Sequence, residues 1–132
     1  MNKDFFKTTK ILDGGMGQEL LARGMKPKGT LWSANALVDE KYHNLILNIH
    51  NDFIKSGADV IVTTTFTTRR KRLKENGLED QFKYLNQKAC EIAQKAKSNH
   101  PNVKIAGGLP PHNLTYEAVS YTHLTLPTNS GV

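Results

Sequence analysis

The sequence predicts an α/β fold in which parallel strands alternate with helices through about three β/α units. Short apolar or β-branched runs recur at residues 10–13, 59–63 and 103–106, and the segments between them carry helical spacing. Parallel strands need crossover connections of that length, and such crossovers are right-handed. Each run also ends in small, acidic or hydroxyl residues: Asp13-Gly14-Gly15, Thr63-Thr64-Thr65 and Gly107-Gly108. Barrel enzymes build their sites at the C-terminal ends of strands, where such residues let a ligand approach the backbone. Their coincidence on three successive strands favours one face of an α/β barrel over an open doubly wound sheet. For each glycine cluster taken alone, turn formation explains it equally well. A parallel sheet is covered on both faces or closed, so three units read as a fragment.

In chain order, Lys10-Ile11-Leu12-Asp13 reads as a buried strand stopped by Gly14-Gly15. Residues 18–23 form a short helix with Gly24 as its stop, and 25–37 are irregular, with Pro27 and Gly29 as breakers. Asp39 is the expected N-cap of a helix running to about Ser56, with Leu45, Ile46, Ile49, Phe53 and Ile54 on one stripe and Gly57 closing it. Asp59-Val60-Ile61-Val62-Thr63 is the second strand, continuing into Thr64-Thr65-Phe66. Helices follow at 70–75 and 79–97, the latter with Phe82, Leu85, Ala89, Ile92, Ala93 and Ala96 on its apolar stripe. Val103-Lys104-Ile105-Ala106 closes the series.

Composition narrows the function classes. Hydrophobic residues make up 38% and charged residues 23%, which suits a folded globular chain. No apolar run approaches a membrane span, the first residues lack a secretory leader, and the single cysteine excludes an internal disulfide. A cytoplasmic location is the expectation. The net charge of +6 is concentrated in Arg69-Arg70-Lys71-Arg72-Leu73-Lys74, without interleaved aromatics. That run reads as a solvated helix face, and no nucleic-acid or membrane partner is expected.

Four segments carry a family resemblance. The run from Ile11 through Asp13-Gly14-Gly15-Met16-Gly17 to Leu20 resembles the opening strand and turn of the homocysteine S-methyltransferase family. Leu31-Trp32-Ser33-Ala34-Asn35 is similar to that family's segment before its first long helix. Residues 53–66 resemble the second helix–strand unit, and Ile105-Ala106-Gly107-Gly108-Leu109-Pro110-Pro111 the third strand. The family includes betaine– and S-methylmethionine–homocysteine methyltransferases and the first module of cobalamin-dependent methionine synthase.

The resemblance implies a (β/α)8 TIM barrel that moves a methyl group to the thiol of homocysteine in methionine biosynthesis. It also implies Zn2+ in the full-length parent, held by cysteines on later strands. A free thiol ionises near pH 8.5 and reacts as the thiolate, and zinc coordination deprotonates it. Carried over residue by residue, Asp13 would pair with the substrate ammonium, and Gly14 and Gly15 would allow close backbone approach. Thr63 and Thr65 would line the same face, and Trp32 would wall the methyl-donor side. Against these stand blander roles: Asp13 as a turn residue, the threonines as strand residues, Trp32 as packing. Betaine users place a tyrosine where Thr67 stands, which argues against betaine. S-methylmethionine, S-adenosylmethionine, betaine and methyl-folate or cobalamin all stay open as donors.

No metal ligand set is expected here. Cys90 reads as a buried packing residue on the apolar stripe. His43 and His50 lie seven residues apart on one helix, roughly 10 Å along its axis, and His100 and His112 fall in loops. The fragment by itself is expected to be inactive. Residues 1–118 read as a truncated homocysteine-binding barrel domain. Val119-Ser120-Tyr121-Thr122-His123-Leu124-Thr125-Leu126-Pro127-Thr128 matches the translation of a transposase-type sequencing adapter, so residues 119–132 read as non-native and lacking regular structure. The alternatives are a zinc-independent α/β binding domain, or another barrel enzyme with a glycine-rich first strand.

Overall fold

The computed structural model describes residues 2–111 of the 132. His112 and the tail 119–132 lie outside the described residues. Helices α1 (Met16–Ala22), α2 (Asn35–Val38), α3 (His43–Lys55), α4 (Arg70–Glu75) and α5 (Phe82–Lys97) accompany strands β1 (Val60–Val62) and β2 (Lys104–Ala106). The strands pair in parallel, Val60 opposite Lys104 and Val62 opposite Ala106. Leu12 bridges Val60 on the other side, also in parallel. The fold is mixed α/β, with the segment at Leu12, β1 and β2 side by side.

Two helices carry the core. On α3, Ile46, Ile49 and Ile54 recur at helical spacing, and on α5 Leu85, Ala89, Ile92, Ala93 and Ala96 do the same. The larger apolar cluster joins Leu20, Leu37, Ile46, Ile49, Leu73, Leu85 and Ala89. A smaller one puts Ile54, Ala58, Ala93, Ala96 and Val103 against Ile61 of β1. Gly57, at φ 107°, ends the α3 turn in a conformation that glycine supplies without a Cβ clash.

The structure corrects several expectations. The first strand is reduced to one bridge, and Ile11 and Leu12 are 58% and 62% exposed, because no strand covers their outer side among the described residues. The first helix starts at Met16, two residues before the expected Gln18. Residues 25–37 are not irregular throughout: a 3-10 helix at Trp32–Ala34 runs into α2. Tertiary contact explains that order, since Thr67 Oγ1 accepts the Ala34 amide at 2.8 Å. Asp39 does cap, accepting the Lys41 amide at 3.3 Å, but it starts a 3-10 helix that leads into α3. Strand β1 stops at Val62, where Thr65 N–H turns back to the Thr63 carbonyl at 2.7 Å.

Cys90 is exposed and not buried. It follows Ala89 by one helical step, about 100° round from the stripe that packs. The basic run is not wholly solvated either: Arg69 is buried and Arg72 half-buried, while Arg70, Lys71 and Lys74 face water.

His50 on α3 is wholly buried, and neither ring nitrogen has a hydrogen-bond partner among the described residues. Burial pushes its pKa from 6.5 down to about 4. The unfolded chain therefore binds a proton there more readily than the folded chain. Stability is fully present above pH 6.5 and is lost as pH falls toward 4, by about 3 kcal/mol at about 1.4 kcal/mol per pH unit. Urea unfolding of the wild-type chain and His50→Leu at pH 7 and pH 4.5 checks this. The variant is expected to lose less stability on acidification than wild type. Equal losses would show that His50 does not titrate on unfolding.

Candidate functional site

The C-terminal ends of the Leu12 segment and β1 open into a cavity of about 340 Å³. Asp13 enters it from a fixed position. Its amide donates to the Val60 carbonyl at 3.0 Å, and its Oδ2 accepts the Val62 amide at 2.8 Å. Burial pushes the Asp13 carboxyl above the usual carboxylate range, with the Val62 amide acting in the opposite direction. Gly14 sits against the Phe53 ring, where an added Cβ would lie 2.9 Å from Cε1, so a side chain there would require the ring to move.

The threonines divide their work. Thr65 Oγ1 donates to the Gly108 carbonyl at 2.8 Å, which commits its only proton. In the 2.9 Å contact between the Thr63 and Thr65 hydroxyls, Thr63 must then be the donor. Thr63 Oγ1 also accepts the Gly108 amide at 3.1 Å. The Thr65 hydroxyl proton and the Gly108 amide proton thus tie the end of β1 to the end of β2, while the Thr63 proton is spent on Thr65. Gly108 permits it, since a Cβ there would meet Thr65 Oγ1 at 3.1 Å and the Thr63 carbonyl at 3.3 Å.

Asp13, Gly14, Gly15, Trp32 and Thr63 all line the cavity. Thr65 does not: it faces a neighbouring cavity bounded by Arg69, Phe82 and Pro111. Trp32 is 49% exposed and has φ 50°, a left-handed conformation uncommon for a bulky residue. Sequence reasoning missed Thr64 and Arg72. Thr64 lines the cavity, and its buried hydroxyl has no partner among the described residues. Strand alternation hid it, because a run extended through Phe66 would put residues 63 and 65 on one face; the turn at 63–65 breaks that alternation. Met16, Phe66 and Val62 supply apolar wall.

The family model described as Homocysteine S-methyltransferase matches residues 10–130. The chain belongs to this family. It is 36% identical over 88 residues to the Homocysteine S-methyltransferase of Escherichia coli, covering 66% of this chain and 28% of that protein. Homocysteine S-methyltransferase 2 of Saccharomyces cerevisiae is 33% identical over 78 residues, 53% of this chain and 24% of that protein. The metallated form of the homocysteine methyltransferase MmuM from Escherichia coli superposes with a TM-score of 0.67 at 32% identity, covering 80% of this chain and 39% of MmuM. This homocysteine S-methyltransferase family chain therefore spans about a quarter of the length of these curated relatives.

The donor set in residues 2–111 does not fit a metal. No group of three or more His, Cys, Asp or Glu side chains lies together among the described residues. His43 is engaged with the Leu37 carbonyl at 2.9 Å, and Cys90 lies exposed on α5.

Proposed function

We propose that this chain is the N-terminal part of a (β/α)8 barrel enzyme that transfers a methyl group to the thiol of homocysteine, and that its cavity holds the amino-acid end of that substrate. The observation that carries the reading is the convergence of Asp13, Gly14, Gly15, Thr63 and Trp32 on one cavity at the strand ends, in a chain of this family. Asp13 takes the ammonium group, and the glycines let ligand and backbone approach. The apolar wall of Met16, Val62 and Phe66 accepts the aliphatic part.

What this part of the protein does is bind and orient. A metal such as zinc, which would lower the pKa of the substrate thiol, belongs in this reading to residues outside 2–111. The fragment alone is then inactive. The test is methionine formation from homocysteine by the product of the uninterrupted gene, with S-methylmethionine, S-adenosylmethionine, betaine and methyl-folate tried as donors. Absence of transfer from every donor, with folded and metal-loaded protein, would overturn the reading.

Residues 119–132 are proposed to be a translated sequencing adapter, on the residue-by-residue agreement of 119–128 with that translation. The family match reaches residue 130, so genomic sequencing across codon 118 decides. The expected result is divergence from the adapter sequence after that codon. An intact gene encoding Tyr121-Thr122-His123-Leu124 would contradict it.

A further inference from the structure

Arg69, Arg70 and Lys71 of the basic run border the neighbouring cavity, of about 420 Å³, and no Asp or Glu lines it. The neutral polar groups of its lining are spent on the fold. Thr65 Oγ1 donates to the Gly108 carbonyl, Thr68 Oγ1 to the Thr65 carbonyl at 3.0 Å, and the Asn86 amide to the Phe82 carbonyl at 2.8 Å. Arg69 is buried in the wall, where its Nη1 donates to the Pro111 carbonyl at 3.1 Å. Arg70 and Lys71 differ from it. Both are exposed, and neither makes a hydrogen bond or an ion pair among the described residues. Arg70 is nevertheless placed, since its guanidinium lies 4.1 Å from the centroid of the Phe82 ring. A ring contact of that kind fixes the group without supplying an acceptor oxygen. Cations of one sign on a concave wall repel one another and raise the local concentration of anions. An anion with two or more charges relieves that repulsion and offers oxygens to both side chains.

We propose that this cavity is an anion site that takes a multiply charged oxyanion, a phosphate or polycarboxylate group, through the side chains of Arg70 and Lys71. The proposal is independent of the amino-acid reading of the cavity at Asp13. A zwitterion such as homocysteine carries an ammonium group that this wall repels.

The test follows the 132-residue chain by 1H–15N NMR as pyrophosphate, tricarballylate or glycine is added. Salt at about 0.15 M screens exposed charges more than about 8 Å apart. Pyrophosphate or tricarballylate should give saturable shifts at the amides of residues 68–71, 82, 86 and 108–109, and glycine none. The tighter of the two anions tells phosphate from carboxylate chemistry. Arg70→Gln and Lys71→Gln should each weaken that binding about tenfold, the loss of one charge-assisted hydrogen bond. Both side chains are exposed, so neither substitution removes a core contact. Lys74→Gln deletes the same charge on α4 outside the cavity, and should change binding less than about twofold. Equal losses in the three variants would reduce the effect to net charge and overturn the site. Shifts that do not saturate, glycine binding as tight as that of the anions, or anion shifts centred on residues 13–18 would overturn it as well.

Discussion

Asp13→Asn is expected to weaken homocysteine binding by about 10- to 150-fold while leaving the melting temperature nearly unchanged. The carboxylate is already placed by the Val62 amide, which donates to its Oδ2. Asparagine keeps one acceptor oxygen for that amide and loses the charge. A charge-assisted hydrogen bond is worth roughly 1.5–3 kcal/mol, and about 1.4 kcal/mol is tenfold in affinity. The pH dependence should point the same way. Burial raises the Asp13 pKa, whereas an ammonium ligand favours the charged form. Binding should therefore weaken on acidification in wild type and lose that dependence in Asp13→Asn. Calorimetric Kd and thermal melts of both proteins check this. Normal binding with a much lower melting temperature would make Asp13 a turn-stitching residue and remove it from the site.

The largest effect on stability is expected from Leu85→Ala. Leu85 is wholly buried on α5, in the cluster that includes Ile49 of α3 and Leu37 of α2. Removing such a side chain costs about 2–5 kcal/mol through lost transfer energy and the cavity left behind. Domains of this size hold about 5–15 kcal/mol in all, and this one leaves Ile11 and Leu12 uncovered. Urea unfolding should show a large fall in midpoint for Leu85→Ala, and a change within about 0.5 kcal/mol for Lys83→Ala on the exposed face. Similar shifts for the two variants would mean that the α3–α5 contact does not hold the fold.

Local pattern made the helices legible. The stripe of Ile46, Ile49 and Ile54 and that of Leu85, Ala89, Ile92 and Ala96 repeat at helical spacing, and both bury the side they predict. Cys90 was misread because it adjoins that stripe in sequence but not around the helix axis. The short helix at residues 35–38 was not legible, because the Thr67 hydroxyl that orders its approach lies 33 residues from the Ala34 amide it accepts. Asp13, Gly14 and Gly15 could be placed at the cavity because strand-end glycines leave a signature. Arg72 could not: it sits inside a basic run of which Arg70, Lys71 and Lys74 face water, and only the fold brings it to Asp13's cavity. Thr65 shows the converse, a residue carried over from the resemblance whose hydroxyl the fold spends on Gly108.

The central claim is that the cavity at Asp13 is an amino-acid site, and an NMR titration of the 132-residue chain with L-homocysteine addresses it directly. The account predicts saturable shifts confined to the amides of residues 13–18, 32–33, 62–67 and 72, which line that cavity or lie between its lining residues. Saturable shifts centred instead on Arg69, Phe82 and Pro111 of the neighbouring cavity, or no saturation at all, would contradict it.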